Sequence, residues 1–232
     1  MKALYENAEA RNACMTPAEA ILRSCGPIPT LCTGERLRSE RKPKKLFIFD
    51  VETGGLDHRH SPILELAYVL RHPKGRIEGV LQMKPFPGDM ICLEALEVNK
   101  LTISRIKKFL DPEYAFKKLV DTLDSVICRY DAQDKAYPVA YNGHFDYDFL
   151  RSFFKKCGNE FAGSYFNNKV IDPLALLRYI DYKDGLNLSS YKLTEVCRHF
   201  AIPLENAHTA LGDVLALEKL LDIVDQHLTW KE

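Results

Sequence analysis

The amino-acid sequence predicts an α/β fold, a mixed five-stranded sheet with helices on both faces. Three apolar segments of strand-like composition follow one another closely between residues 44 and 83. From about residue 93 onward, apolar residues recur every three or four positions, which indicates helices. Two shorter strand-like segments, 137–141 and 170–171, interrupt these helices. Strands that come first and then alternate with helices are typical of a sheet covered by helices.

The first strand starts at residue 44 and runs through an apolar stretch into two carboxylates and a glycine turn. Residues 63–70 and 76–83 form the second and third strands, each rich in β-branched and aliphatic residues. Because the connections between these three segments are short, we expect them to pair as an antiparallel meander.

Several helices are predicted in the remainder of the chain. Residues 93–108 predict short helices, and an apolar stripe in 112–132 predicts a longer one that packs on the core. Asp172–Pro173 has the composition of a cap followed by a first helical residue. A further helix is expected in 188–202, and Asn206 is expected to cap a long final helix.

The segment after strand 137–141 predicts a helix that is buried on one side. Phe145, Phe149 and Phe153 repeat every four residues and therefore lie on one face. Asp146 falls in the first turn of this helix, directly after a strand. Ligands of open α/β sheets collect at such strand-to-helix turns.

The chain divides into an N-terminal extension, 1–43, and a predicted catalytic domain, 44–232. Residues 8–23 could form a helix, but prolines and glycines break the segment between that helix and residue 35. The basic end of the extension, 35–45, is an arm for nucleic acid or a partner, or else a solvated linker. We favour the linker.

Composition excludes several functional classes. Lys plus Arg and Asp plus Glu number 32 each, so no strong overall field attracts nucleic acid or membrane, and any polyanion would need a local patch. No segment has the length of a transmembrane helix or the core of a signal peptide. The seven cysteines are odd in number and scattered, which favours reduced thiols. We expect a cytoplasmic protein.

Two acids end the first predicted strand. Asp50 and Glu52 are two positions apart, so their side chains point to the same face. Carboxylate oxygens suit Mg²⁺ or Mn²⁺. A second Asp-x-Glu pair, 111–113, is explained as a helix start, which shows that the pattern alone is a weak signal. Whether Asp50 and Glu52 form a metal site therefore depends on further acids later in the sequence.

Such acids occur in two later motifs. The sequence contains Asp-x-Glu-Thr-Gly-Gly-Leu at 50–56, Asn-x-x-x-Asp at 142–146 and His-x-x-x-x-Asp at 208–213. In this order, and with an apolar strand before the first motif, the sequence resembles the DnaQ-like, or DEDDh, family of 3′-to-5′ exonucleases, among them the polymerase III epsilon-type proofreading enzymes. The resemblance covers roughly residues 45–227, so that 44–232 would be the exonuclease domain, and it implies a ribonuclease H-like fold.

The resemblance implies a role for each matching residue. Two divalent cations, Mg²⁺ or Mn²⁺, would be held by Asp50, Glu52, Asp146 and Asp213, and His208 would be the general base. Physical chemistry agrees, because a cation pair activates water and neutralises charge on a reacting phosphate. Histidine titrates near neutral pH and can accept the proton of the attacking water.

The resemblance also implies a seat for the 3′-terminal nucleotide. Thr53, Gly54, Gly55 and Leu56 would line it, with the backbone receiving the sugar and Leu56 packing against a base. Glycines there would let a substrate backbone come close. Asn142 would position the loop that precedes the second acid.

We therefore expect a metal-dependent 3′-to-5′ exonuclease that releases nucleoside 5′-monophosphates from nucleic acid with a free 3′ end, with DNA slightly favoured. One alternative is an RNA-trimming or oligoribonuclease-type enzyme. Another is a catalytically silent module that binds nucleic acid or a protein on the same fold, although such a module would be expected to have lost one or more of the five motif residues. A polymerase or another protein is considered as a partner, and no membrane is expected. The oligomeric state is left open.

Overall fold

The computed structural model describes residues 44–159, 161–204 and 209–228. The predicted helix at 8–23, residues 35–43 of the basic linker and the predicted cap Asn206 lie outside these residues. The described part belongs to a compact unit that spans Pro43–Glu232. No helix in the described part is both long and apolar enough to cross a lipid bilayer.

Four strands form the sheet within the described residues, in the order β3-β2-β1-β4. They are β1 (Lys45–Thr53), β2 (Ile63–His72), β3 (Gly75–Gln82) and β4 (Ala136–Val139). β2 is antiparallel to β1 and to β3, which confirms the predicted meander, and β4 runs parallel to β1. The sheet is therefore mixed, as predicted.

The predicted fifth strand is wrong in extent. Of residues 170–171, only Ile171 pairs with β4, through a single parallel bridge to Val139. Pairing cannot continue past it, because Asp172 caps the next helix and Pro173 has no N–H to donate. Before it, an Asx turn closed by the side chain of Asn167 carries the chain away from β4.

Helices fill most of the remaining described residues. They are α1 (Leu93–Val98), α2 (Ile103–Ile106), α3 (Pro112–Asp124), α4 (His144–Lys156), α5 (Pro173–Asp184), α6 (Leu193–His199) and α7 (Ala210–Leu228), with a 3₁₀ turn at Ala162–Ser164.

Two of the helices are shorter than their apolar patterns predict. α3 ends at Asp124, and Ile127 enters the core from the turn beyond it. α6 ends at His199, because Ala201 adopts a left-handed conformation (φ 52°) and Ile202 is buried after the break. Burial in both cases gives an apolar periodicity that outlasts the helix.

Helices cover both faces of the sheet, as predicted. On one face Phe47, Phe49 and Val51 of β1 pack with residues of α3 and α4. On the other face Ile48 packs with residues of α5 and α7. Asp50 and Glu52 follow Ile48 at two-residue steps and therefore point to the α7 face at the end of β1. The phenylalanine stripe of α4 is buried at Phe149 and Phe153, whereas Phe145 is 36% exposed.

Candidate active site

Three carboxylates meet at the end of β1. Asp50 and Glu52 come from the strand, and Asp213 comes from the first turn of α7, which packs on the same face. One carboxylate oxygen from each lies within 4.8 Å of the other two. All three side chains keep some exposure to solvent. The packing of α7 thus brings together acids that are about 160 residues apart in the sequence.

The fourth predicted acid, Asp146, reaches the site from the other side of the sheet. It lies in the first turn of α4, whose Phe149 and Leu150 belong to the opposite core. Its Oδ1 accepts a hydrogen bond from the backbone N–H of Val51 at 3.2 Å, between the two acids of β1. Asp146 is only 6% exposed. It is therefore held beside the group of three carboxylates by the strand itself.

Burial and neighbouring negative charges raise the pKa values of these acids. Burial raises the pKa of Asp50 well above its ordinary value, and the charges of Asp146 and Glu52 raise it further. Burial and then the charge of Asp213 raise the pKa of Glu52 to about 7. Burial also raises the pKa of Asp146 to about 7, although the Val51 N–H favours its ionised form. Without a cation, the site therefore opposes full ionisation at neutral pH.

The donor set fits a hard divalent cation. Asp50, Glu52 and Asp213 offer only oxygen, which is the ligand type of Mg²⁺ and Mn²⁺. Their oxygens already converge, and their mutual repulsion would be relieved by positive charge. Among the described residues this is the one group of three or more His, Cys, Asp or Glu side chains with such spacing.

The turn after β1 is fixed by contacts within the protein. The Thr53 hydroxyl donates to the Gly55 carbonyl oxygen at 2.7 Å, and the Asn99 side chain donates to the Thr53 carbonyl oxygen at 2.9 Å. A Cβ on Gly54 would lie 2.8 Å from the Pro62 ring, and one on Gly55 would lie 2.5 Å from the Ser61 hydroxyl. Internal packing therefore gives a reason of its own for both glycines, and the close substrate approach that the sequence suggests stays a prediction.

The other predicted substrate residues differ in exposure and contacts. Leu56 leaves this turn with 86% of its surface exposed, so its side chain is available to a ligand. Asn142 adopts a left-handed conformation (φ 57°), and its N–H donates to the Asp172 carboxylate at 3.0 Å. It shapes the turn before α4 through its backbone. His208, the predicted general base, lies outside the described residues.

Comparison with known proteins identifies the family. Residues 47–221 match the family described as RNase_T, Exonuclease. The chain belongs to this exonuclease family. The predicted kinship with DnaQ-like 3′-to-5′ exonucleases is confirmed, and so is the predicted class of fold.

Relatives of this exonuclease domain include much longer proteins. It is 26% identical over 184 residues to DNA polymerase III PolC-type of Bacillus cereus, covering 77% of this chain and 12% of the relative. The corresponding protein of Halalkalibacterium halodurans is 29% identical over 174 residues, covering 75% of this chain and 11% of the relative. The chain thus spans about an eighth or less of the length of these relatives.

A solved structure shares the fold. Escherichia coli Exonuclease I in complex with a dT13 oligonucleotide matches with a TM-score of 0.65 at 21% identity. The match covers 80% of this chain and 42% of that one. At this identity the likeness concerns the fold alone.

Sequence reasoning missed three residues near the candidate site. Glu65 of β2 lies opposite Glu52, accepts a hydrogen bond from Gln82 at 2.6 Å, and adds negative charge to the site. A charged residue inside an apolar strand was the available signal. Asp172, predicted only as a cap, accepts from the N–H groups of both Leu174 and Asn142 and so joins α5 to the turn before α4.

The third missed residue is Asn99, which follows α1 and donates to the backbone of the turn after β1. Nothing in its local sequence marks it, because the contact joins positions 46 residues apart. It fixes the carbonyl of Thr53, directly beyond the two acids of β1.

Proposed function

We propose that this protein is a metal-dependent 3′-to-5′ exonuclease that hydrolyses the terminal phosphodiester bond of nucleic acid and releases nucleoside 5′-monophosphates. The observation that carries this proposal is the convergence of carboxylates from β1 and α7, with Asp146 hydrogen-bonded to the same strand. Membership of the exonuclease family supports the reaction class.

Each acid has a part in the proposed site. Asp50, Glu52, Asp146 and Asp213 would hold two divalent cations, Mg²⁺ or Mn²⁺. Bound cations supply a nucleophilic water and neutralise charge on the reacting phosphate. The proposed role of His208 is to accept the proton of the attacking water at an imidazole nitrogen. It precedes Asp213 by five residues in the sequence.

Substrate binding is assigned to the turn after β1. The exposed Leu56 would pack against the 3′-terminal base, and the backbone of Thr53, Gly54 and Gly55 would face its sugar. The hydrogen bonds of Thr53 hold this turn in one conformation, so binding would cost little reordering.

We propose DNA as the favoured substrate. The PolC-type relatives are named as DNA polymerases, and the similar Exonuclease I structure contains a DNA oligonucleotide. The same relatives support a polymerase as a protein partner. A cytoplasmic location stays a prediction from the sequence.

The experiment follows 5′-labelled single-stranded DNA, duplex DNA and RNA during incubation with Mn²⁺. The parent is expected to give a ladder that shortens from the 3′ end, and faster on DNA. Asp213→Asn is expected to lower the rate at least about a hundredfold, because it removes a charged ligand. Asp225→Asn is the matched control, since Asp225 is exposed on the same helix.

Two outcomes would contradict the proposal. Equal rates for the parent and Asp213→Asn would show that the carboxylate cluster does not take part in the reaction. Binding of Mn²⁺ without any turnover on the three substrates would instead favour a silent nucleic-acid module. Faster cleavage of RNA than of DNA would agree with the proposed site but would show that RNA is the favoured substrate.

A further inference from the structure

A second feature lies next to the candidate site and is not part of it. A cleft of about 790 Å³ is lined by residues of α4, by residues of the turn that follows β1 and by Ala162. Four of its lining residues are lysine or arginine, and one is an aspartate; they are Arg59, Arg151, Lys155, Lys156 and Asp148. A protein with no net formal charge therefore concentrates positive charge in one concave surface.

One wall of the cleft is a single face of α4. Arg151 and Ser152 lie three and four residues after Asp148, and Lys155 lies four and three residues after them, so the four residues form one stripe along the helix. Phe149 and its buried neighbours turn into the core instead. From Asp148 to Lys155 the stripe is about 10 Å long.

The part of the cleft that the 57–61 turn forms is held in place by α4. The Ser152 hydroxyl donates to the His58 carbonyl oxygen at 2.5 Å, and Lys156 Nζ donates to the Ser61 carbonyl oxygen at 3.3 Å. Both bonds join α4 to the 57–61 turn. The cleft is thus formed before any ligand binds, which reduces the cost of binding.

Most of the positive charge in the cleft is available to a ligand. Arg59, Arg151 and Lys155 are exposed, and none of them forms an ion pair with another residue in the part of the chain that the structure describes. Lys156 differs, because it pairs with Asp89 at 2.5 Å. Three cations at the edge of one cleft are the electrostatic footprint of a polyanion site.

The elements that form the cleft are those that form the site. The 57–61 turn continues directly from Leu56, and α4 carries Asp146 at its first turn. The cleft is therefore formed by the residues that directly follow the proposed seat of the 3′ end and by the helix that carries Asp146. Successive phosphates of one strand lie several ångströms apart, so a stripe of about 10 Å can contact only a few of them.

We infer that the cleft binds the phosphates of the strand on the 5′ side of the bond that is cut. Arg59, Arg151 and Lys155 would contact phosphates, which do not encode base sequence. The inference rests on the proposed function for the direction of the strand. The cleft would guide single-stranded nucleic acid toward the site. DNA and RNA would both bind, because they share the phosphate groups that the cleft contacts.

Binding is the first test. Affinity for dT12 and rU12 is measured by fluorescence anisotropy without divalent cations, over a range of salt concentrations, for the parent and for Arg151→Gln/Lys155→Gln. The double variant is expected to bind both oligonucleotides about tenfold more weakly, with a salt slope smaller by about 1.4, because each lost phosphate contact removes about 0.7 from the slope.

The matched control is Lys74→Gln/Lys219→Gln, which removes the same charge. Lys74 lies in the β2–β3 turn and Lys219 follows Glu218, which pairs with Arg71, so both lie at the end of the sheet remote from Glu52. This control is expected to bind as the parent does. Equal weakening by the two double variants, or no binding by the parent, would overturn the inference.

Oligonucleotide length gives the second test. With Mn²⁺, Arg151→Gln/Lys155→Gln is expected to lower kcat/KM on dT12 and to leave it unchanged on dT2, which is too short to reach the cleft. An equal loss on both lengths would overturn the inference. If the parent degrades dT12 and the variant has the same kcat/KM, the inferred role of the cleft is wrong and the proposed function stands. If oligonucleotide binding depends on the cleft but no cleavage occurs, the proposed function fails, whereas binding of the strand in the cleft is supported.

Discussion

In the metal-free protein, the carboxyl groups of the site lie in surroundings that disfavour their charged forms. Asp50, Glu52 and Asp146 all have raised pKa values, because burial and neighbouring carboxylates disfavour their charged forms. A carboxyl group whose pKa is higher in the folded state retains protons that the unfolded chain has lost. Its folded state is therefore progressively disfavoured as the pH rises from about 4.3, the ordinary value for glutamate, toward the folded value.

For Glu52 this window extends from its ordinary value to about 7. We expect metal-free Glu52→Gln to be more stable than the parent by about 2 kcal/mol at pH 8, and the difference to vanish near pH 4. Urea denaturation in the presence of a chelator measures it at both pH values. The exposed Glu97 provides the control substitution, Glu97→Gln, which should not reproduce the pattern. A Glu52→Gln protein no more stable at pH 8 than the parent would contradict the repulsion described above.

Among the elements, the turn after β1 depends on contacts with the segment that leads into β2. Gly54 N–H donates to the Pro62 carbonyl oxygen at 2.9 Å, and Gly55 lies against the buried Ser61. The sequence predicted the turn from its glycines. It did not indicate that the space beside them is filled by the protein.

We expect Gly55→Ala to destabilise the fold by about 1 to 3 kcal/mol, because its Cβ would lie 2.5 Å from the Ser61 hydroxyl. Adding Ser61→Ala removes that oxygen and should restore part of the stability. Thermal or urea unfolding of the two single variants and the double variant measures this coupling. Strictly additive effects would show that the two residues do not clash.

Across the whole molecule, an ion-pair network joins the sheet to α7 at the end remote from the site. Arg71 binds Glu218 at 2.7 Å and Asp222 at 2.6 Å, and Arg76 binds Glu218 at 2.9 Å. Burial by itself would raise the pKa of Glu218, but the two arginines outweigh it and hold the pKa below its ordinary value. The same helix carries Asp213, so this network helps to set where that acid lies.

We expect Glu218→Gln to lower the free energy of unfolding by about 1 to 3 kcal/mol at pH 7, because two arginines lose their shared carboxylate. A carboxyl group with a depressed pKa stabilises the fold above its ordinary value and loses this effect as the pH falls through the folded value. The difference from the parent should therefore narrow below about pH 4. Denaturation curves at pH 7 and pH 4 test this, and a difference independent of pH would point to packing alone.

Much of this protein could be predicted from local patterns in the sequence. The antiparallel meander, the placement of Asp50 and Glu52 on one face, and Asp146 in the first turn of a helix follow from periodicities of two and 3.6 residues, which the backbone imposes. The three motifs, taken in order, also identified the family. These features depend on residues that are neighbours in the chain.

Tertiary structure alone decided the rest. Apolar periodicity overestimates α6 and the fifth strand, because Ile202 and Ile171 pack into the core although the helix has ended and the strand is reduced to one bridge. The sequence named the acids, but packing of α7 and α4 on opposite faces determines that Asp213 joins Asp50 and Glu52 while Asp146 binds the strand between them. The basic cleft likewise arises only when α4 packs beside the turn after β1, because its charges come from separate segments.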